Sequence, residues 1–284
     1  MAIYHIFYNP KAGNGTGEAE SKKLDEILKG HELHYYSLLE IDNLSAKVAT
    51  FPEEDRVVIS GGDGTLNRFI NRLENPDNMR DIYYFASGSG NDFWADLGKK
   101  KGDEPIVINE YFKQLPVVTV NGKTSRFLNG IGYGIDGYCC EVGDKLREKS
   151  DKAINYTGIA IKGLLFHYKR TTAKITVDGV EHTFKKVWLA PTMNGRMYGG
   201  GMIPTPDQKR LGEDRKLSCM IMYGTGKLHT LMVFPSIFKG QHVKHTKMVE
   251  ILTGKTITVE FDRPTALQID GETVLGVTKY TATL

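Results

Sequence analysis

Cysteine is scarce in this chain of 284 residues, with only Cys139, Cys140 and Cys219. Two of the three are neighbours and none forms a CxxC pair, which excludes a disulfide framework and a cysteine zinc site and predicts a reducing compartment. No charge-free apolar run reaches membrane-spanning length, so no transmembrane helix is expected. The lysine-bearing GxxxxGK[ST] loop is missing too, which excludes an ordinary P-loop enzyme. Met1–Tyr8 has neither a basic leader region nor a small-residue cleavage site and reads as a first strand. Repeats and low-complexity tracts are absent. Together these absences predict a globular, cytoplasmic protein.

Hydrophobic residues at 40% and charged residues at 25% lie near globular averages, which argues against disorder and against a fibrous class. The length suggests about two domains, each able to bury a core. Charge is divided unevenly. Residues 1–115 carry a net −6 and residues 116–284 a net +9, so the second part is the basic one. Such a surface could meet anionic headgroups, although solvated lysines are the ordinary reading.

Glycine is plentiful, with 31 residues, and it is concentrated where strands should end. Ile3–Tyr8 runs into Asn9-Pro10-Lys11-Ala12-Gly13. Arg56–Ser60 runs into Gly61-Gly62-Asp63-Gly64-Thr65-Leu66-Asn67, and Ile82–Ala86 into Ser87-Gly88-Ser89-Gly90-Asn91-Asp92. Helical spacing follows in Glu18–Lys29 and Leu66–Leu73, with a further strand at His34–Leu38 and a short helix at Ser45–Phe51. Alternating β and α elements predict a doubly wound parallel sheet whose glycine loops cluster at its carboxyl edge. Glycine lets backbone amides approach an anion, and a helix N-terminus adds unpaired donors. Asp63 would repel a phosphate unless a cation intervened, so its place in the loop points to Mg²⁺ and a nucleotide.

From about Pro116 the pattern changes to short strands, at Val117–Val120, Ala173–Val177, His182–Leu189, Leu217–Met222 and Thr256–Phe261. Asp178-Gly179 is a hairpin signal. Helical stretches are expected at about 143–168 and 228–238. Lys152–Arg170 is apolar with basic ends, and could lie on a membrane surface or pack on the sandwich. Met193, Met197, Tyr198 and Met202 could line an acceptor pocket or form core. His242 and His245 lack a third ligand for zinc.

The ordered set of Asn9-Pro10, Gly61-Gly62-Asp63-Gly64-Thr65, Gly88–Phe93, Phe127–Asp136, Asn194 with Gly199-Gly200-Gly201, and Gln268–Glu272 resembles the diacylglycerol kinase catalytic-domain superfamily. That superfamily includes bacterial diacylglycerol kinases and sphingosine-type lipid kinases. The resemblance covers essentially the whole chain. It implies an α/β nucleotide-binding domain over residues 1–115, to which a strand at about 275–284 returns, and a β-sandwich acceptor domain over residues 116–274, with the active site in the cleft. ATP and Mg²⁺ are the implied cofactors.

Matched to the family residue by residue, Asn9, Pro10, Lys11, Ala12, Gly13, Ser37, Gly61, Gly62, Asp63, Gly64, Thr65, Leu66, Asn67, Ser89, Asn91 and Asp92 fall at nucleotide-contacting positions. Asp63 and Asp92 lie near the Mg²⁺-bound phosphates. Asp270 and Glu272 match the catalytic acids, with Asp270 expected as the base and Glu272 as its support, although the residues leave the two open; as a bare sequence, Asp270-Gly271-Glu272 is a hairpin turn. A structural Mg²⁺ loop is implied at 211–217, with Asp214 as the carboxylate ligand and Leu211 and Lys216 offering carbonyls. Here the chain departs from the family, which reads Asp-Gly followed by Leu-Asp where this chain has Arg215 and Ser218. An acid common shortly before Phe127 is also missing.

The expected partners are a lipid alcohol, diacylglycerol by default, and transiently the inner face of a membrane; a homodimer is included and nucleic acid is not. Two other functions remain open, an NAD kinase-like enzyme and a catalytically silent nucleotide-binding module.

Overall fold

The computed structural model describes residues 1–74, 79–149 and 154–284. Lys152 and Ala153, at the head of the apolar segment, lie outside them. The chain divides into two compact units, Met1–Leu115 and Pro116–Leu284.

In the first unit the elements run β1 (Ile3–Tyr8), α1 (Ala12–Gly15), α2 (Gly17–Ser21), α3 (Leu24–Ile27), β2 (Glu32–Ser37), α4 (Leu44–Ala49), β3 (Arg56–Gly61), α5 (Asp63–Asn71), β4 (Ile82–Ala86), α6 (Asp92–Asp96), β5 (Ile106–Val107) and α7 (Asn109–Phe112). The sheet order is β2-β1-β3-β4-β5. The first four strands are parallel, and β5 pairs antiparallel at the edge. Val57, Val58 and Ile59 are fully buried, as a strand covered on both faces requires. The single helix expected over Glu18–Lys29 is instead divided into α2 and α3. Ser21 explains the break: its hydroxyl donates to the Gly17 carbonyl one turn back, a competition with the backbone ladder that bends helices.

In the second unit follow β6 (Val117–Val120), β7 (Lys123–Arg126), β8 (Gly130–Tyr133), α8 (Ile135–Arg147), α9 (Tyr156–Lys162), a π-helical turn (Gly163–His167), β9 (Thr171–Val177), β10 (Val180–Val187), β11 (Thr192–Met193), β12 (Leu217–Met222), α10 (Lys227–Val233), two 3₁₀ turns (Phe234–Lys239 and Gln241–Lys244), β13 (Val249–Gly254), β14 (Thr256–Ile269) and β15 (Glu272–Thr283). All pairings are antiparallel, and the order is β13-β12-β11-β8-β14-β15-β6-β7, with β9 between β14 and β10. This is the β-sandwich. The fourteen-residue β14 serves both ends of it, since residues 257–261 pair β9 and residues 267–269 pair β8. Irregular register between Glu260 and Leu267 accommodates the change of partner.

One expectation is corrected by the pairing. The terminal strand does not return to the first unit's sheet: β15 pairs β14 along its length and β6 through Tyr280–Thr283. An alternating apolar pattern announces a strand but not its partner.

Tyr133 and Phe261 stack at the centre of the sandwich, with ring centroids 3.8 Å apart and planes 10° off parallel, and the Tyr133 hydroxyl donates to the Val277 carbonyl at 2.5 Å. A second cluster, under α8, α9 and α10, contains Met193, Tyr198 and Met202, which are therefore core. Phe261→Ala should cost about 3–5 kcal/mol, the usual range for an aromatic deleted from a packed interior, read as a lowered midpoint in urea unfolding followed by the near-ultraviolet signal of the second unit.

Candidate active site

The strand order of the first unit reverses between β1 and β3, and ligands of doubly wound sheets bind outside the carboxyl ends of the strands at such a point. Asn9–Gly13 leaves the end of β1, Gly61–Thr65 the end of β3 and Ser87–Asp92 the end of β4, while Ser37 closes β2. The topology thus gathers the expected nucleotide residues at one sheet edge. Asn9 shapes the first loop, its Oδ1 accepting from the Lys11 amide at 3.0 Å and its carbonyl from the Ala12 amide at 3.0 Å. Behind the loops runs a file of buried hydroxyls, with Ser21 Oγ 2.8 Å from Ser60 Oγ and Ser60 Oγ 2.9 Å from Ser87 Oγ.

The glycines divide into two kinds. A Cβ on Gly62 would stand 2.5 Å from the Gly90 carbonyl oxygen, and one on Gly88 would stand 2.4 Å from the Gly62 backbone, so the second and third loops touch back to back. Gly64 and Gly90 differ: a Cβ there meets nothing within 4 Å, and neither has a positive φ. Fold geometry does not require glycine at these two positions, and the missing side chain leaves their backbone open to close approach. Gly64 and Thr65 occupy the first turn of α5, where amides have no intrahelical acceptor. Beside them Asn91 Nδ2 donates to the Gly88 carbonyl, while its buried Oδ1 has no partner. A buried acceptor without a donor is costly, and this one stands beside the glycine loops, where it could accept from a ligand.

Asp63 has a structural task beyond the one read from the sequence. Its carboxylate accepts from the amides of Asp92 (2.6 Å) and Phe93 (3.2 Å), capping α6, while its own amide donates to the Gly90 carbonyl at 2.9 Å. It therefore clamps the second loop to the third. Asp63 and the buried Asp92 are the carboxylates of these two loops, the hard oxygen donors that would hold a Mg²⁺ arriving with phosphates.

In the second unit, Asp270 and Gly271 have φ of +46° and +93° and form the two-residue turn of the β14–β15 hairpin. The turn and the functional position therefore coincide. The buried Asp270 carboxylate accepts from three successive amides, Leu128 (2.5 Å), Asn129 (2.8 Å) and Gly130 (3.0 Å). Glu272 is exposed at the start of β15. The Leu128 and Asn129 stretch is held in turn by Asn194, which the sequence pattern named, and by Arg210, which sequence reasoning missed. Arg210 is 8% exposed and donates to the Leu128 carbonyl (2.7 Å) and to Asn129 Oδ1 (2.6 Å), while Asn194 Nδ2 donates to the same Leu128 carbonyl at 2.9 Å. Nothing in the local pattern around Arg210 distinguishes it from a solvated surface arginine.

Asp136, at the start of α8, accepts from the Tyr198 hydroxyl at 3.0 Å and from the Gly137 amide at 2.9 Å. Burial pushes its carboxyl up to about 6, against those hydrogen bonds. His242 is buried, with Nε2 on the Pro204 carbonyl at 2.9 Å, and no cluster of three metal-ligating side chains occurs among the described residues.

The implied structural Mg²⁺ loop does not fit a cation. Asp214 is exposed, the Lys216 carbonyl accepts from Gln208 Nε2 at 2.6 Å, and the Arg215 guanidinium donates to the Arg210 carbonyl at 2.9 Å. Of the four proposed ligand residues, Asp63 stands in the first unit and Leu211, Asp214 and Lys216 in the second.

Known proteins agree with this layout. Residues 4–119 match the family model of the diacylglycerol kinase catalytic domain, and residues 129–283 match that of the YegS C-terminal NAD kinase beta sandwich-like domain. A diacylglycerol kinase of Bacillus subtilis is 25% identical over 96% of this chain and 90% of its own length. A diacylglycerol kinase of Mycobacterium tuberculosis is 24% identical over 90% and 84%. A solved structure of a diacylglycerol kinase from Bacillus anthracis superposes with a TM-score of 0.59 at 21% identity, covering 99% of this chain and 93% of that one, a likeness of fold.

Two outcomes are expected from the site geometry. Gly62→Ala should lower the melting temperature by several degrees, because its Cβ strikes the Gly90 carbonyl, whereas Gly64→Ala, in a helix with open space around it, should leave it unchanged or raise it. Asp136 binds its proton more tightly in the folded state than in the unfolded chain, so its stabilising contribution is complete below about pH 4 and is lost as pH rises through about 6. Stability measured by urea unfolding at a series of pH values should fall less steeply over that window in Asp136→Asn.

Proposed function

This chain belongs to the diacylglycerol kinase catalytic-domain family and is a kinase, and we propose that it transfers the γ-phosphoryl group of ATP, with Mg²⁺, to the hydroxyl of a lipid, with diacylglycerol as acceptor and phosphatidic acid as product. The main support is the sheet edge of the first unit, where open glycines, unpaired first-turn amides and the orphaned Asn91 Oδ1 converge. Such an edge suits an anionic nucleotide better than any apolar ligand. Names given to relatives at about 24–25% identity support the lipid class, and the choice of diacylglycerol rests on them.

In this reading Asn9–Gly13 and Gly61–Asn67 hold the phosphates by backbone amides, Ser37 and Ser89 contribute hydroxyls, and Asp63 and Asp92 hold the Mg²⁺. Bound Mg²⁺ neutralises phosphate charge and orients the triphosphate. The acceptor hydroxyl attacks the γ-phosphorus, its proton passes to a carboxylate, and ADP leaves. Asp270 was the expected base, but three amides occupy most of its roughly four acceptor sites. In this reading the base is Glu272, and Asp270 locks the hairpin that presents it.

No helix among the described residues is long and apolar enough to cross a membrane. The acceptor is instead met at an anionic bilayer surface, transiently. Phe166, Leu228 and Met232 are each 73% exposed, on the π-helical turn and on α10. Lys227 Nζ donates to the Leu165 carbonyl and joins these two elements. Exposed Lys162, Lys169, Arg170 and Lys239 accompany them, and apolar insertion ringed by cations matches anionic headgroups.

The test is transfer of labelled γ-phosphate from ATP to diacylglycerols, sphingosine, ceramide and NAD, with the lipids presented in phosphatidylglycerol vesicles. Phosphorylation of diacylglycerol is expected. Glu272→Gln should lower kcat at least about a hundredfold with the melting temperature kept, whereas Asp270→Asn should lower both, because an amide N–H would face the Leu128 or Asn129 amide. Product on NAD alone would replace the lipid by a dinucleotide, and nucleotide binding without turnover on any acceptor would make the chain a regulatory module.

A further inference from the structure

The loop at 208–218 is where this chain departs from its family, and the side chains standing there have a consistent chemistry. A structural divalent cation would draw together backbone carbonyls whose dipoles repel one another. Here donors do that instead. Gln208 Nε2 lies 2.6 Å from the Lys216 carbonyl, 3.3 Å from that of Lys209 and 3.4 Å from that of Asn194, and Ser218 Oγ donates to Gln208 Oε1 at 2.5 Å. The amide is thus orientated by the residue that replaces the family's second carboxylate. Arg215 donates to the Arg210 carbonyl at 2.9 Å, from the position where the family has glycine.

Arg210 carries the arrangement inward. Its guanidinium lies flat against Gly195, where a Cβ would stand 1.9 Å from Nη2, and it donates in a fork to the Leu128 carbonyl and Asn129 Oδ1. The next donors along the same stretch are the amides that hold Asp270. A planar fork of fixed charge suits two acceptors at once, which an ammonium does not.

We propose that in this chain a guanidinium and amide network, Arg215 to Arg210 and Gln208 to Lys216, replaces the divalent cation of the 211–217 loop, and that Arg210 is the positioning residue for Asp270 and its hairpin. The loop is then independent of metal. This half of the proposal does not depend on the kinase reading, while the role of Arg210 in turnover does.

Thermal unfolding of the full chain without nucleotide, in EDTA and in millimolar Mg²⁺, separates the two. Equal melting temperatures are expected. A rise in Mg²⁺ that survives Asp214→Asn comes from elsewhere and leaves the network in place, whereas a rise abolished by Asp214→Asn restores the cation and overturns the proposal. Arg215→Ala should melt several degrees lower and stay lower in Mg²⁺; full recovery in Mg²⁺ would also overturn it. For the positioning role, Arg210→Lys keeps the charge and loses the fork, and should lower kcat tenfold or more with KM for ATP changed less than twofold and no recovery in excess Mg²⁺. An unchanged kcat in Arg210→Lys would refute the positioning role. Should Arg210→Lys fail to fold, Gly195→Ala, whose Cβ displaces the guanidinium, supplies the same comparison. Absence of turnover in the parent protein would sink the kinase reading and leave the unfolding result standing.

Discussion

A carboxylate removed from water must be surrounded by donors, and the second unit is organised around one such group. Asp270 sits on a left-handed turn and takes the amides of Leu128, Asn129 and Gly130, residues some 140 positions earlier in the chain. That bond set closes the β14–β15 hairpin onto the start of β8. It also fixes what else can happen nearby: the Gly130 carbonyl accepts from the Asp270 amide, while the Leu128 carbonyl needs donors of its own, which Arg210 and Asn194 supply. Asp63 repeats the solution in the first unit, with two amides at the start of α6. In both places a residue that reads as chemistry also holds two loops together, so substitution at either position confounds stability with function.

The glycine loops were legible in the sequence because their signal is local. Strand, glycine turn and helix are contiguous, and β3, α5 and β4 fall close to where the apolar runs place them. The hairpin at Asp178-Gly179 was legible for the same reason, two residues fixing the turn between Val177 and Val180. Partners distant in sequence were not. The acceptor role of Asp63 needs amides 29 and 30 residues away, and β15 finds its neighbours only after β6 and β14 exist. Arg210 is the extreme case, since nothing but tertiary burial separates it from the lysines and arginines around it.

Glycine abundance deserves a divided explanation. Gly62 and Gly88 let two backbones touch, Gly195 makes room for a guanidinium, and Gly64 and Gly90 leave space that no protein atom fills. One residue type answers three different constraints within a single family pattern. A pattern match therefore reports that glycine is present without saying which constraint it meets. The third kind is the one that bears on ligands.

The buried hydroxyls behind the loops carry a direction. Ser21 has one hydrogen and gives it to the Gly17 carbonyl, so the contact with Ser60 requires Ser60 to donate, and the contact with Ser87 then requires Ser87 to donate. Every hydrogen in the file points from the third loop towards the first. Aligned bonds of this kind polarise one another, and a hydroxyl that donates becomes a better acceptor, so Ser87, whose one hydrogen is committed to Ser60, carries an oxygen that accepts more strongly than that of an isolated serine. Three strands end at this edge, and a single ordered dipole runs behind them.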